Sequence, residues 1–231
     1  MENRDAFMQH IARQLGREPR QLPEPLPVTH SAPLRSRYAE KIAEQPCDSF
    51  MEFASQMMQV HCELAPLADL SQVAEGLCNQ YGGGPILISG DARLAKTGIT
   101  AHLQRSFPAN CWASPGREDN LRIAAGANIG VVFAEYGLCE TGGVVLFSSP
   151  WQGRAISLLP PTTLFVVYKS RLLPGVTQLA EILRQREQSG EPLPSCINLI
   201  AGPSSTADIE LIKVVGVHGP LNAVYLIIED C

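Results

Sequence analysis

The chain has 231 residues, of which 45% are hydrophobic and 18% charged, and these values predict one α/β domain with a sizeable core, or one domain with an appendage. Its net charge of −5 argues against non-specific nucleic-acid binding, which needs clustered lysine and arginine side chains. No apolar run approaches the roughly 20 residues that a membrane-spanning helix needs, so we expect no membrane span.

The seven cysteines are widely scattered, and no two are close enough to form a C-x-x-C pair. The sequence therefore predicts neither a zinc site nor a run of iron–sulfur ligands, and we expect no metal and no cofactor in this chain. The first residues are polar and charged, without a secretory pattern. We therefore expect a protein of the reducing cytoplasm. The cysteines are Cys47, Cys62, Cys78, Cys111, Cys139, Cys196 and Cys231.

The N-terminal segment is amphipathic and is followed by a proline-rich stretch. The apolar residues Phe7, Ile11 and Leu15 recur at every fourth position, which predicts a helix over residues 3–16. Five prolines between positions 19 and 33 predict a semi-extended linker. Such a tethered helix is either a mobile arm or an element that docks on another subunit.

Farther along the chain, helical patterns alternate with short apolar runs. We therefore divide the chain into an N-terminal helix and linker, residues 1–45, and an α/β domain, residues 46–231. The predicted helices begin at Asp48 and then cover 67–81, 91–106 with a break near Gly98, 118–126 and 174–188. The predicted strands cover 86–90, 111–113, 129–134, 144–148, 155–159, 164–169, 197–201 and 223–228. This order predicts a mostly parallel sheet flanked by helices, with an antiparallel portion in the middle of the chain.

Two glutamates lie in the turn that follows the predicted strand 129–134. Ligands of open α/β sheets bind beyond the carboxyl ends of the strands, so Glu135 and Glu140 could act as acid and base, or one as a nucleophile. The structural alternative is a tight turn whose glutamates are solvated or cap a helix. Three further residues could offer backbone N–H groups to an oxyanion or phosphate: Thr141, Gly142 and Gly143.

A second candidate site follows the predicted strand 197–201, where the chain breaks at a Gly-Pro pair. Hydroxyl residues come next and predict the start of a short helix over residues 208–215. Unpaired backbone N–H groups at such a start favour an anionic ligand, a carboxylate or a phosphate. The structural alternative is that Ser205 caps the helix and Asp208 completes a capping-box-like pair. The candidate ligand-binding residues are Ser204, Ser205, Thr206, Asp208 and His218.

Three motifs of common enzyme classes are absent from the sequence. No G-x-G-x-x-G opens a βα unit, and no G-x-x-x-x-G-K-[ST] is present, so neither a dinucleotide site nor a P-loop is supported. G-x-S-x-G is also absent, which leaves a hydrolase nucleophile elbow unsupported.

Two long stretches, AEYGLCETGG at 134–143 and GPSSTADIELIKVVGVHGP at 202–220, closely resemble the LUD-domain family. Within that family the chain is most similar to the lactate utilisation protein C branch, also called LutC or YkgG. The resemblance covers the chain from Cys47 to Cys231 and is especially close in the last third.

The resemblance implies the fold shared by ribose-5-phosphate isomerase, glucosamine-6-phosphate deaminase and CoA transferases (the NagB/RpiA/CoA transferase-like fold). It also implies a role in oxidising L-lactate to pyruvate, in a complex with a cysteine-rich LutA-like subunit and an iron–sulfur LutB-like subunit. This chain would be the subunit that carries no cluster, and the iron–sulfur clusters would lie in its partners. Glu135 or Glu140 would then face a group bound by the 202–218 stretch, on a shared edge of the sheet.

Two other functions stay open. Analogy with relatives of the fold suggests a stand-alone enzyme that acts on a phosphorylated sugar or a CoA ester. The remaining alternative is a non-catalytic assembly module or sensor that binds a small carboxylate.

Overall fold

The computed structural model describes residues 2–17, 39–112, 117–207 and 212–231. The chain divides into two compact units, Met1–Leu34 and Arg35–Cys231. The predicted proline-rich linker falls outside the described residues.

The first unit contains helix α1, Glu2–Gln14, which confirms the predicted N-terminal helix. Gly16 follows it with φ +63°, a left-handed conformation that glycine adopts without strain and that ends helices. Phe7 and Leu15 on the apolar stripe are exposed.

The second unit consists of helices packed on a six-stranded and a four-stranded sheet, with one further pair of short strands. Its helices are α2 (Ala39–Glu44), α3 (Pro46–Met58), α4 (Leu70–Gln80), α5 (Ala92–Lys96), α6 (Ile99–Ser106), α7 (Arg117–Gly126), α8 (Ala155–Leu158) and α9 (Val176–Gln188), with a short 3₁₀ helix at Lys169–Arg171. Its strands are β1 (His61–Pro66), β2 (Ile86–Ile88), β3 (Ala109–Cys111), β4 (Ile129–Phe133), β5 (Tyr136–Leu138), β6 (Gly143–Phe147), β7 (Thr162–Tyr168), β8 (Leu172–Leu173), β9 (Ile197–Ile200), β10 (Ser205–Thr206), β11 (Val214–Val215) and β12 (Asn222–Glu229).

The main sheet has the strand order β1-β12-β7-β4-β2-β3, and every neighbouring pair is parallel. This confirms the predicted α/β fold with a mostly parallel sheet. Strand β4 is buried along its whole length, and β7 is buried except at Tyr168. Because both faces of such strands are covered, their sequences are mainly apolar, with the buried Thr162 and Thr163 at the start of β7.

Alternate side chains of the main sheet enter two separate hydrophobic cores. Val131 and Phe133 of β4 pack with Leu94 of α5, in a core that α4 and α6 also line. Val132 points to the other face and joins the core that contains Phe50 of α3. The main sheet is therefore the middle layer, with α4, α5 and α6 on one face and α3, α8 and the smaller sheet on the other.

The smaller sheet has the order β8-β5-β6-β9, and both β5–β6 and β6–β9 are antiparallel pairs. This confirms the predicted antiparallel portion. Leu179 of α9 packs against Val145 on one face of this sheet, and Val144 joins the core beneath α3 on the other. The segment 135–143, predicted as a turn, therefore contains strand β5.

Most predicted helices are confirmed, with ends that differ by a few residues. The break predicted near Gly98 separates α5 from α6, and Gly98 has φ +80°. Strands β1, β5 and β8 were not predicted, and β1 pairs only with β12 among the described strands. Strand β3 lies two residues earlier than predicted.

The strand predicted at 155–159 is wrong, since these residues form α8. This helix lies against β4 at Gly130, where a Cβ atom would come within 1.9 Å of the Ile156 carbonyl oxygen. The missing side chain lets the backbone of α8 approach the strand. Short apolar runs of this kind do not distinguish a buried helix from a strand.

The helix predicted at 208–215 is also wrong in its described part. Ser205 and Thr206 form β10, which pairs antiparallel with Val214 and Val215 of β11. The two β-branched valines favour a strand. Residues 208–211, including Asp208, lie outside the described residues.

Candidate functional site

The carboxyl ends of β2 and β4 bring two carboxylates and an arginine together. Asp91 follows β2, and Glu135 follows β4. The Arg93 guanidinium donates to both oxygens of Glu135 over N–O distances of 3.0 and 2.5 Å, and to both oxygens of Asp91 over 3.0 and 2.7 Å. It also lies 4.4 Å from the centroid of the Phe133 ring. We call Asp91, Arg93 and Glu135 the Arg93 cluster.

The Arg93 cluster lies where the strand order of the main sheet reverses. From β2 the chain continues to β3 at the edge of the sheet and then returns to β4 on the other side of β2. Open α/β sheets bind ligands in the crevice beyond the carboxyl ends of strands at such a point. Glu135 is 25% exposed there, so a ligand can reach its carboxylate.

Arg93 keeps its neighbour Asp91 ionised. Burial alone would raise the pKa of Asp91, but hydrogen bonds from Arg93 and its charge outweigh burial and hold the pKa below its ordinary value. Burial likewise would lower the pKa of Arg93, whereas its bonds to Asp91 and Glu135 raise it. The Asp91–Arg93 pair is therefore ionised across the physiological pH range.

The loop after β6 fixes the two strand ends that carry the cluster. The buried Gln152 side chain accepts from the Phe133 N–H and donates to the Phe133 carbonyl, both at 2.9 Å. The neighbouring Trp151 carbonyl accepts from the Gly90 N–H at 2.8 Å and from the Ser89 hydroxyl at 3.2 Å. The cluster thus rests on rigid strand ends rather than on a free loop.

Sequence reasoning found Glu135 but missed Asp91, Arg93 and Gln152. Asp91 comes soon after a predicted strand, where functional side chains of α/β proteins gather, and this signal could have identified it. The pairing of Arg93 with Glu135 spans 42 positions of the chain, and no local spacing indicates it.

Glu140 makes a different contact from Glu135, because it caps a helix. Its Oε1 accepts from the Val176 N–H at 2.8 Å, at the start of α9. A Cβ atom on Gly175 would lie 2.2 Å from the Glu140 carboxylate, so only glycine fits beside it. The structural alternative of a helix-capping glutamate is confirmed for Glu140. Its catalytic role stays a prediction.

The residues predicted to offer N–H groups after Glu140 pack closely against other elements. Gly142 has φ +59°, and a Cβ atom there would lie 2.6 Å from the Ala54 nitrogen of α3. A Cβ atom on Gly143 would lie 3.3 Å from Ala201 Cβ, next to β9. Both glycines are buried, and Thr141 is partly exposed. Their role in anion binding stays a prediction.

The second predicted site forms a surface groove of about 290 Å³. Residues 202–205 and 218–220 line it, together with Leu158 at the end of α8. The buried side chains of Phe165 and Ala223, from the main sheet, also border it. Three of the predicted ligand residues line the groove: Ser204, Ser205 and His218.

Tyr225 of β12 holds the turn that leads into the groove. Its buried hydroxyl donates to the Ile200 carbonyl at 3.3 Å and accepts from the Gly202 N–H at 3.4 Å. Gly202 has φ +75°, and a Cβ atom there would lie 2.6 Å from the Met58 carbonyl oxygen. Burial raises the pKa of Tyr225, so its hydroxyl stays a neutral donor.

The groove and Glu135 lie at opposite ends of the parallel strands. Pro220 and Leu158 border the groove just before β12 and β7 begin, whereas Glu135 follows the end of β4. The expected shared edge is therefore wrong for Glu135. Strand β6 runs antiparallel to β5 and begins at Gly143. Gly143, and not Glu135, lies beside Ile200 and Ala201, from which the chain continues into the groove.

The histidine, cysteine and acidic side chains of the described residues are dispersed over the fold. Within these ranges no three histidine, cysteine or acidic side chains group as metal ligands. Burial raises the pKa of the Cys62, Cys78 and Cys139 thiols to about 12. No described helix is both long and apolar enough to cross a membrane.

The fold and the two sites define an α/β protein with a ligand-sized groove and a charged cluster at opposite sheet edges. The family model of the LUD domain matches residues 50–228, which is most of the chain. The chain belongs to the LUD-domain family, as the motifs at 134–143 and 202–220 predicted.

Full-length relatives support the same assignment. The chain is 50% identical to "Uncharacterized protein YkgG" of Escherichia coli K12 over 235 residues, which cover 100% of both chains. It is 39% identical to "Lactate utilization protein C" of Geobacillus thermodenitrificans and 36% identical to the protein of that name in Bacillus subtilis. Each of these two alignments covers 100% of this chain and 98% of the relative.

One solved structure has a similar fold. A DUF162 family protein from Deinococcus radiodurans matches with a TM-score of 0.53 and 19% sequence identity. The match covers 82% of this chain and 97% of that chain. At this identity the likeness concerns the fold alone.

Proposed function

We propose that this chain acts in lactate utilisation, as the subunit without an iron–sulfur cluster in a complex that oxidises L-lactate to pyruvate. The observation that carries the proposal is its full-length similarity to chains named lactate utilization protein C, at 36–39% identity for two of them. Similarity over the N-terminal helix as well as the α/β domain means that the whole chain, and not one shared domain, has the architecture of those relatives.

A deletion strain tests the role in lactate utilisation. A strain that lacks only this chain is expected to lose growth on L-lactate and to grow normally on pyruvate, since only the oxidation step is missing. Supplying the chain from a plasmid should restore growth. An unchanged rate of L-lactate oxidation in the deletion strain would rule the role out.

The proposed partners are a LutA-like and a LutB-like iron–sulfur protein. The donor set supports placing the clusters in those partners, because no three histidine, cysteine or acidic side chains of the described residues group as metal ligands. All seven cysteines are free, which fits the reducing cytoplasm.

Purification of the tagged chain from native cells should recover proteins with the visible absorption of iron–sulfur clusters. A colourless eluate without lactate-oxidising activity would count against the complex.

The groove supports a second role for this chain, the binding of a small carboxylate. Its volume of about 290 Å³ is near the lower end of ligand pockets, which suits a small acid better than a CoA ester. Ser204 and His218 supply polar groups at its wall. Calorimetry with L-lactate and pyruvate should show binding that Ser204→Val weakens and the exposed Ser55→Val does not. Binding of phosphorylated sugars alone would favour a stand-alone enzyme or sensor instead.

A further inference from the structure

Strand β9 leaves one edge of the smaller sheet open. It is the terminal strand of that sheet and, within the described residues, pairs only with β6. The Ser148 N–H donates to the Cys196 carbonyl, and antiparallel pairs place such bonds at alternate positions. The backbone groups of Ile197 and Leu199 therefore point away from β6, toward the open edge.

Nothing in the sequence of β9 blocks its pairing with another chain. Edge strands of monomeric proteins usually carry charges, prolines or bulges that prevent such pairing. The sequence of β9 is INLI, and no charged residue lies between Glu191 and Asp208. The side chain of Leu199 is 51% exposed. The strand thus has the features of an edge that is paired in the assembled protein.

Exposed apolar side chains lie in the groove beside β9 and in the segments that border the groove. Leu158 and Leu199 line the groove and are both exposed. Leu221 packs against Gly216, where a Cβ atom would come within 2.2 Å of its side chain, and Leu221 and Val217 are each about half exposed. Contiguous exposed apolar surfaces of this kind mark protein–protein contacts.

We propose that β9 pairs antiparallel with β9 of a second copy of this chain, so that the two smaller sheets form one continuous sheet. A two-fold axis at Asn198 would pair Ile197 with Leu199 of the second copy, through the backbone groups that point outward.

A second copy fits this edge better than a charged partner. It brings a strand of the same length and the same uncharged surface. Each copy has a net charge of −5, and a contact that contains no charged residues avoids placing like charges opposite each other. The proposal concerns assembly and does not depend on the role in lactate oxidation.

Light scattering after size-exclusion chromatography of the full chain tests the proposal. We expect twice the chain mass of 25.0 kDa. Leu199→Lys should raise the dissociation constant of the dimer at least tenfold, because it places a charge within the contact. Leu121→Lys, at an exposed leucine of α7, is the matched control and should leave the mass unchanged. Circular dichroism verifies that both variants are folded.

A cross-linking experiment tests the predicted register. Asn198→Cys should form a disulfide-linked dimer under mild oxidation, because the two-fold axis places this position opposite itself. Leu121→Cys should remain uncross-linked. The proposal is overturned by a chain that is monomeric at every concentration. The proposal is also overturned if the β9 amides are protected from hydrogen exchange only when a different protein is bound. Protection of these amides by α1 of the same chain would overturn it as well.

Discussion

Arg93 allows two carboxylates to lie side by side at the carboxyl edge of the main sheet. Its fork donates to Asp91 on one side and to Glu135 on the other, and its flat face covers Phe133. A lysine could not make both two-point contacts, because its ammonium is a single point charge. The position of Glu135 therefore depends on an arginine that comes from helix α5.

We expect Arg93→Met to lower the free energy of unfolding by about 2–3 kcal/mol, because the two carboxylates then lose their shared counter-ion. The loss is smaller than for a fully buried pair, since the Arg93 side chain is 30% exposed. Urea unfolding followed by circular dichroism measures the change. Arg122→Met removes an exposed ion pair with Asp119 and should cost less than about 0.5 kcal/mol. Equal losses for the two variants would contradict the prediction.

The free energy of unfolding should depend on pH through the ionisation of Asp91. Its pKa in the folded protein lies below the ordinary value of about 3.9, although burial opposes this, because Arg93 stabilises the carboxylate. A lowered folded-state pKa gives stability that is present above the unfolded pKa and is lost as the pH falls through the folded value. The free energy of unfolding should therefore decrease below about pH 4.

Asp91→Asn should remove part of this dependence, since the amide does not titrate. Urea unfolding at a series of pH values measures the slope for each variant. Asp119→Asn, at an exposed position of α7, serves as the control and should keep the slope of the natural protein. A slope that is the same in all three proteins would exclude Asp91 as its source.

At the scale of elements, α9 shows how a distant residue can start a helix. Glu140 reaches from the end of β5 to the Val176 N–H, and Gly175 leaves the space that its carboxylate occupies. Helix α9 therefore begins at Val176, where the smaller sheet places Glu140. The predicted start, Pro174, lies two residues earlier.

We expect Gly175→Ala to destabilise the protein by about 1–2 kcal/mol, because its methyl group displaces the Glu140 cap. The loss should shrink in a Glu140→Ala background, where no cap remains to be displaced, and a double-mutant cycle measures this coupling. Gly126→Ala, where no atom lies within 4 Å of the new Cβ, is the control. Strictly additive losses would show that Gly175 does not act through Glu140.

Sequence patterns predicted elements where one signal dominates. The run at β4 has no polar side chain, β7 is apolar from Leu164 to Val167, and Gly98 marks the break between α5 and α6. They failed at α8 and at β10–β11, because segments of two to four residues have no measurable period and take their conformation from tertiary contacts. The candidate site was predicted only in part for a related reason. Glu135 follows a recognisable strand, whereas its partner Arg93 is brought to it by the order of strands in the sheet.

At the scale of the whole molecule, β7 and β12 lie inside the main sheet and are buried along nearly their whole length. We expect their amides to exchange hydrogen only through global unfolding, and those of β10–β11 to exchange much faster through local opening. Hydrogen exchange followed by mass spectrometry measures both regions. A low concentration of urea should accelerate exchange in β7 and β12 far more than in β10 and β11, because only global unfolding exposes much surface. Equal rates in both regions would contradict this expectation.

The position of β12 within the main sheet has a consequence for synthesis on the ribosome. The ribosome makes β1 long before β12. In the folded sheet, however, β1 pairs with β12, and β12 pairs with β7 on its other side. A nascent chain therefore carries β1 without a partner until residue 229 has left the exit tunnel. The native sheet can close only after β12 has left the exit tunnel, and a premature stop before β12 would separate β1 from the other strands.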